Sequence, residues 1–192
     1  MNIVTNFKIN EMDSIEILVP DFEYKENYYY KPVKELQMFD VVTVEYQTNK
    51  IKLVLKKDAV AEVFGVFRND LKRLLQNQLV LPKNIQPGDL GYNWNIDTDE
   101  DNFDIDYFAY WLFSYRGVQT WIYNKDSKMY LEISPSYPWH SIEPSENEKV
   151  VPFEEFMQKY KPLALYELTK ETVQKWIHEA DLILEKMIKV KN

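Results

Sequence analysis

The 192-residue chain contains no cysteine, which excludes disulfides, thiolate-bound zinc and cysteine nucleophiles. Such a chain suits a reducing compartment, and we expect a cytoplasmic protein. Its first residues lack the basic and then apolar pattern of a signal peptide. No stretch approaches the roughly 20 apolar residues that span a bilayer, so we expect no membrane segment.

Positive charge and glycine are also scarce. Arg68, Arg73 and Arg116 are the only arginines, and the formal net charge is −8. Such a surface repels phosphates, which argues against nucleic acids and anionic membranes as partners and favours a basic protein. The chain has only four glycines and neither a GxGxxG nor a Walker-type loop, so no cofactor is predicted.

The length predicts a single domain, residues 1–192. Alternating apolar and polar residues predict two short strands around Glu11–Asp13. The tyrosine-rich run Asp21–Lys31 is expected to be a surface loop. A hairpin then pairs Leu36–Gln47 with Lys50–Lys56.

The expected turn of this hairpin has two residues, Thr48 and Asn49. It pairs Tyr46 with Ile51 on an apolar face and Glu45 with Lys52 on a charged face. Because apolar residues then lie opposite each other on one face and opposite charges on the other, both faces favour the same register.

Apolar residues at three- and four-residue steps predict three helices that pack on the sheet. They cover residues 58–79, 152–160 and 169–189, and Asp58 and Thr169 are the expected N-caps of the first and the last. Leu163–Leu168 is expected to be a strand, and a long loop is expected from Gly88 onward. With the hairpin at 36–56 and a meander at 107–133, these elements predict an α+β fold with a mainly antiparallel sheet.

Residues 107–139 hold 11 of the 29 aromatic side chains. Arg116-Gly117 predicts a two-residue turn that pairs Trp111 with Ile122. A four-residue loop at Asn124–Ser127 then pairs Trp121 with Tyr130.

This register gives the sheet one apolar face, which is core, and one amphipathic aromatic face. The second face carries side chains that combine a large apolar area with a polar group: Tyr110, Trp121, Tyr123 and Tyr130. Two interpretations are open for it. A helix covers the face, or the face is exposed and binds a protein partner or a carbohydrate.

Six carboxylates lie within the ten residues that precede the meander, in an expected loop: Asp97, Asp99, Glu100, Asp101, Asp104 and Asp106. Asp97, Asp99 and Asp101 match the first ligand positions of an EF-hand. Asn102 then replaces the required glycine and Phe108 the bidentate glutamate, which disfavours a calcium site. The run is therefore either a solvated loop or a docking surface, since clustered carboxylates attract and steer basic proteins.

His140 follows Trp139 in a proline- and serine-rich connection and is close in sequence to Glu143. A histidine beside a carboxylate can act as a general base, and paired carboxylates cleave glycosides. No GxSxG motif accompanies His140, and no spacing singles out a carboxylate pair. An enzyme is therefore the third interpretation, after a protein-binding and a ligand-binding domain.

The size, the acidity, the absence of cysteine and the mixed strand–helix plan resemble the small immunity proteins that bacteria encode beside polymorphic or contact-dependent toxins. The segment SYRGVQTWIYNKDSKMYLEISPSYPW is similar to parts of uncharacterised bacterial domain families. The resemblance implies a non-catalytic inhibitor of a basic toxin, and it carries no functional residue over.

We predict that the acidic run steers such a partner and that nearby aromatic side chains anchor it. The candidate partner-binding residues are Asp97, Asp99, Glu100, Asp101, Asp104, Asp106, Tyr110, Trp121, Tyr123, Tyr130, Trp139 and His140.

Overall fold

The computed structural model describes residues 2–19, 36–102, 104–140, 143–144 and 149–189. Over these residues the protein has an α+β fold with two antiparallel four-stranded sheets and four α-helices, which confirms the predicted class. The chain forms two compact units, Met1–Gln76 with Leu168–Asn192, and Asn77–Glu167. That the two units act together as a single domain stays a prediction from the length of the chain. None of the helices in the described part of the chain has a stretch long and apolar enough to cross a membrane.

The first unit is a strand meander with two helices. Its elements are β1 (Asn2–Lys8), β2 (Ser14–Val19), β3 (Val41–Gln47), β4 (Lys52–Ala59), α1 (Val60–Leu75) and α4 (Lys170–Lys189), and the sheet order is β1-β2-β3-β4. The two strands expected around Glu11–Asp13 form and pair antiparallel. The expected loop Asp21–Lys31 lies outside the described residues.

Aromatic side chains from β1 and both helices form the core of this unit. The ring of Phe7 lies 4.7 Å from Phe67 and 6.0 Å from Trp176. All three side chains are buried, and each contributes roughly 2–3 kcal/mol by leaving water. The indole N–H of Trp176 donates to the carbonyl of Lys8, which fixes α4 to the end of β1. The predicted cap of α4 is confirmed, because Thr169 Oγ1 accepts the N–H of Thr172.

The β3–β4 hairpin differs from its predicted register. Tyr46 pairs with Leu53 rather than Ile51, so the connection is a four-residue turn. Thr48 stabilises this turn, because its Oγ1 accepts the backbone N–H groups of Lys50 and Ile51. From the turn to Glu45 the register moves by two, which keeps these side chains on their predicted faces. A bulge between Val44 and Glu45 shifts the pairs beyond it by one further residue, so Val44 lies opposite Lys56 rather than Leu53. Lys52 still reaches Glu45, at 2.7 Å, now as a diagonal neighbour.

The first helix is shorter than predicted. β4 continues to Ala59, which is the N-cap of α1 in place of Asp58, and it makes no side-chain capping bond. The helix ends at Leu75 rather than 79, and Asn77 has a left-handed φ of 54° that stops it. Leu79 instead belongs to a segment that bonds to the second sheet, where Asn124 donates its N–H to the carbonyl of Leu79.

The second unit is built on the aromatic meander. Its elements are α2 (Leu90–Glu100), β5 (Trp111–Tyr115), β6 (Val118–Lys125), β7 (Lys128–Pro135), α3 (Phe153–Gln158) and β8 (Ala164–Leu168), and the sheet order is β5-β6-β7-β8. Two short 3₁₀ turns, Tyr107–Ala109 and Pro138–His140, flank the meander. The predicted helix at 152–160 and strand at 163–168 are confirmed within a few residues.

The two turns of the meander both have two residues. Arg116 and Gly117 have φ values of 36° and 79°, as the predicted hairpin turn requires. The predicted four-residue loop at 124–127 is wrong, because Asp126 and Ser127 alone form the second turn, with φ values of 48° and 64°. Neither residue is glycine, so the sequence signal for this turn is weak.

The corrected register pairs Trp121 with Glu132 and Tyr123 with Tyr130. It again moves strand positions by two, so the predicted division into two faces survives. Trp111 is the exception. An irregularity between Trp111 and Phe113 pairs Trp111 with Trp121, which transfers its ring from the expected apolar face to the aromatic face.

Candidate partner-binding surface

The helix α2 determines whether the aromatic face of the second sheet is accessible to a ligand or partner. The sequence predicts a loop here, and that prediction is wrong. Leu90, Gly91 and Asn95 are buried, and Trp94 is half-buried. Trp94 follows Leu90, and Asn95 follows Gly91, by about one helical turn, so the four residues lie on one face. These side chains place α2 against β6 and β7, so the helix covers the aromatic face.

Gly91 lets α2 approach the sheet closely. A Cβ atom at this position would lie 2.3 Å from Ser134 Oγ and 2.6 Å from the hydroxyl of Tyr160. The backbone N–H of Gly91 donates to Glu132 Oε1 at 2.9 Å. The first turn of α2 therefore rests on a carboxylate of the sheet, where the positive end of the helix dipole favours negative charge.

Glu132 is fully buried, and two hydroxyl groups also donate hydrogen bonds to its carboxylate. Ser134 donates to Oε1 and Tyr123 donates to Oε2, both at 2.7 Å. Tyr123 in turn accepts the N–H of Gly88. Burial and the adjacent charge of Glu132 raise the pKa of Tyr123, which keeps it a hydrogen-bond donor. A buried carboxylate is tolerated when donors surround it, and this network fixes α2 on the sheet.

The predicted aromatic anchors divide into buried and partly buried side chains. Trp121 and Tyr123 have no exposed surface, because α2 and the 3₁₀ turn at Tyr107 cover them. No surface of either side chain is available to a partner in this structure. Tyr110 and Tyr130 are half-buried at the margin, where the hydroxyl of Tyr110 donates to the carbonyl of Val80.

The carboxyl-terminal end of α2 carries the acidic residues that were expected in a loop. Asp97, Asp99 and Glu100 lie on the helix, and Asp101 ends it with a left-handed φ of 51°. Asp97 is half-buried and accepts the hydroxyl of Tyr107. Burial, and then that bond and the charges of Asp97 and Asp104, raise the pKa of Tyr107. This contact joins the helix end to the segment that follows it.

We call the six carboxylates the acidic patch: Asp97, Asp99, Glu100, Asp101, Asp104 and Asp106. All except Asp97 are exposed. Residues 84–115 contain no lysine and no arginine. Among the described ion pairs, the only partner of the patch is His140. The patch is therefore a concentrated and uncompensated negative surface.

The position of the patch is unfavourable for the helix that carries it. The carbonyl end of α2 is its negative end, and no basic residue lies in its last turn. An acidic residue there costs roughly 0.3–1 kcal/mol, whereas a basic residue would stabilise the helix by a similar amount. At Asp99, Glu100 and Asp101 the charges thus do not serve the stability of α2.

His140 lies beside this helix end. Asn95 positions the segment, because it donates to the carbonyl of Pro135 and accepts the N–H of Tyr137. His140 Nδ1 then lies 3.8 Å from Asp99 Oδ1, with the rings of Tyr137 and Phe153 at 4.8 and 5.1 Å. Burial lowers the pKa of His140, although the charge of Asp99 and the backbone of Asn95 act in the opposite direction.

The carboxylate partner of His140 is thus Asp99, whereas the sequence suggested Glu143. Glu143 is exposed. Trp139 is half-buried and contacts Tyr137 edge to face at 5.3 Å. The structure therefore brings Asp99, Trp139 and His140 to one part of the second unit.

Phe108 is a surface residue that the sequence did not single out. The 3₁₀ turn directs Tyr107 inward and Phe108 outward, and 69% of Phe108 is exposed. Its ring stacks on Trp111 at 5.3 Å and 23°. The sequence signal was the pair of adjacent aromatic residues, since consecutive positions of a tight turn cannot both face the core.

Within the described part of the chain, no group of three or more acidic or histidine side chains is arranged to hold a metal ion. No family model, curated protein or solved structure to which the chain was compared matches it.

Proposed function

We propose that this is a non-catalytic binding protein that docks a basic protein partner on the acidic patch. An immunity-type inhibitor of a basic toxin, which would act in the reducing cytoplasm that suits a cysteine-free chain, is the form of this function that the sequence resemblance suggests. The observation that carries the proposal is the uncompensated negative charge at the carbonyl end of α2.

The placement of these charges supports the proposal. Charges that destabilise their own helix are explained if a partner supplies the missing cations. A basic partner is also steered toward such a surface, which raises the association rate at low salt. Half-buried Trp139 and exposed Phe108 offer apolar area at its margin.

The two alternatives find less support. A carbohydrate-binding face needs exposed rings, but α2 covers Trp121 and Tyr123. A general base needs access to a substrate, but His140 is largely enclosed between two aromatic rings.

A capture experiment tests the proposal. The bait is the wild-type protein, or the patch variant Asp99→Asn, Glu100→Gln, Asp101→Asn, immobilised against an extract of the producing organism. The control variant Glu11→Gln, Glu154→Gln, Glu185→Gln removes three exposed carboxylates elsewhere, so both variants carry the same formal charge, −8 + 3 = −5.

We expect a basic protein to be captured by the wild type and by the control variant but not by the patch variant. The purified partner should then bind the wild type with a micromolar or lower Kd. Equal capture by all three baits, or no basic protein on any of them, would show that the patch has no docking function.

A further inference from the structure

The Phe108–Trp111 pair is a preformed aromatic platform. The Trp111 indole N–H donates to the carbonyl of Phe113 at 3.1 Å, which fixes the position of the Trp111 ring. Phe108 stacks on it, and Trp94 meets the edge of the pair at 6.1 Å from Phe108. One ring face of Phe108 is therefore supported by protein, and the exposed remainder is open to solvent.

The exposure of Phe108 is unusual for this unit. The neighbouring rings of Tyr107 and Trp121 are fully buried, and Phe108 is the most exposed large hydrophobic side chain among the described residues of the second unit. The exposed part of this ring contributes no burial to folding. Aromatic side chains, phenylalanine among them, are enriched at protein interfaces.

Carboxylates flank the platform in sequence. Asp106 begins the 3₁₀ turn that presents Phe108, and the charge of Asp104 acts on the neighbouring Tyr107. The ring therefore favours a ligand that is flat enough to stack, and the acidic patch favours a positively charged one. Anionic ligands are repelled, and a purely apolar group gains nothing from the carboxylates.

We propose that the platform takes an arginine side chain of the basic partner. The planar guanidinium group stacks on an aromatic face and binds a carboxylate with two parallel N–H groups at the same time. A lysine ammonium is a strongly hydrated point charge that can do only one of these well. This inference rests on the proposed function and adds to it the residue type that Phe108 selects.

Two synthetic peptides test it, one of alternating arginine and serine and one with lysine at every arginine position. Their affinities are measured by calorimetry at low ionic strength for the wild type, Phe108→Leu, Phe108→Tyr, Phe39→Ala and the patch variant. Leucine retains apolar bulk without a ring, and tyrosine retains the ring. Phe39, which is 78% exposed in the first unit, is the matched control.

We expect the wild type to bind the arginine peptide about two- to five-fold more tightly than the lysine peptide. The preference should disappear in Phe108→Leu and persist in Phe108→Tyr and Phe39→Ala. A preference that survives in Phe108→Leu, or no preference in the wild type, would overturn the inference.

The same titrations keep the two proposals apart. If both peptides bind equally and the patch variant weakens both, the basic-partner proposal stands and the arginine platform fails. If neither peptide binds, or the patch variant binds as well as the wild type, the acidic patch itself fails.

Discussion

At Gly91 the close contact between helix and sheet depends on the absence of a side chain. The nearest atoms to an added Cβ include Ser134 Cβ at 2.4 Å, which a side-chain rotation cannot move away. The helix would have to lift, and the bond from the Gly91 N–H to Glu132 would lengthen.

We therefore expect Gly91→Ala to lower the free energy of unfolding by about 1–3 kcal/mol, measured by urea denaturation. Gly65→Ala in α1 is the matched control, because nothing lies within 4 Å of its added Cβ. Alanine there should raise the free energy by about 0.5–1 kcal/mol through helix propensity. Shifts of the same sign in both variants would contradict the close contact.

His140 gives a pH dependence whose direction follows from its surroundings. The folded protein lowers the pKa of this side chain, so the unfolded chain binds its proton more readily. The stability contributed by neutral His140 is complete above the unfolded pKa of about 6.5 and falls as the pH drops below that value.

We expect urea midpoints of the wild type to decrease between about pH 7 and pH 5, and the decrease to be smaller in His140→Gln. His178→Gln, which changes the other histidine at an exposed position of α4, is the matched control. An unchanged slope in His140→Gln would mean that other groups cause the decrease.

At the scale of elements, the sequence predicted most of the fold but not α2. The helices α1 and α4 and the strands follow clear apolar periods, and these were found. The segment GDLGYNWNIDTDE combines glycine, asparagine, aspartate and threonine, which are poor helix formers. Tertiary packing of Leu90 and Trp94, together with the bond to Glu132, makes it a helix. These contacts join residues that are far apart in the sequence, so a short segment of sequence cannot reveal them.

The strand registers show a second physical limit. The β3–β4 and β6–β7 turns were misjudged by two residues each, and the side chains next to these turns kept their faces because the strand period is two. The pairs beyond the bulge at Val44 and the ring of Trp111 are the exceptions. The burial of one face was therefore predictable when the pairing was not. What the sequence left open was whether a helix or solvent covers the aromatic face, and the positions of Trp121 and Tyr123 beneath α2 answer it.

We expect the carboxylates of the acidic patch that lie at the end of α2 to destabilise this helix. Neutralising Asp99, Glu100 and Asp101 in the patch variant removes negative charge from the negative end of the helix dipole. We expect the unfolding free energy to rise by about 1 kcal/mol in total, seen as a higher Tm at low salt.

Glu62→Gln provides the opposite control, since this exposed residue lies in the first turn of α1, where negative charge is favourable. It should lower the Tm slightly. If the patch variant is less stable than the wild type, the carboxylates have a structural role, and the case for a docking surface weakens.

At the scale of the whole molecule, the chain contains two compact units but was predicted to act as one domain. One domain implies one cooperative transition, with equal calorimetric and van 't Hoff enthalpies. The two glycine variants offer a sharp test, because Gly65 belongs to the first unit and Gly91 to the second.

If the prediction holds, scanning calorimetry of both variants will show a single transition that moves as a whole. Two transitions, of which each variant moves only one, would establish two independent domains.

The distribution of charge is the other property of the whole molecule. The formal charge is −8, and residues 84–115 contribute seven carboxylates without a lysine or an arginine. Composition predicted a basic partner, but it could not say where that partner binds. The fold brings the acidic run, His140 and the Phe108 platform together on the second unit, where we propose that the partner binds.

The most direct measurement is a titration of the purified, captured partner into the wild type, the patch variant and the control variant at two salt concentrations. A docking surface predicts that the patch variant binds at least tenfold more weakly, about 1.4 kcal/mol, while the control variant of equal charge binds like the wild type. The difference should shrink in high salt, because screening weakens exposed charges. Equal affinities for the two variants would mean that only overall charge matters, and the acidic patch would not be the binding site.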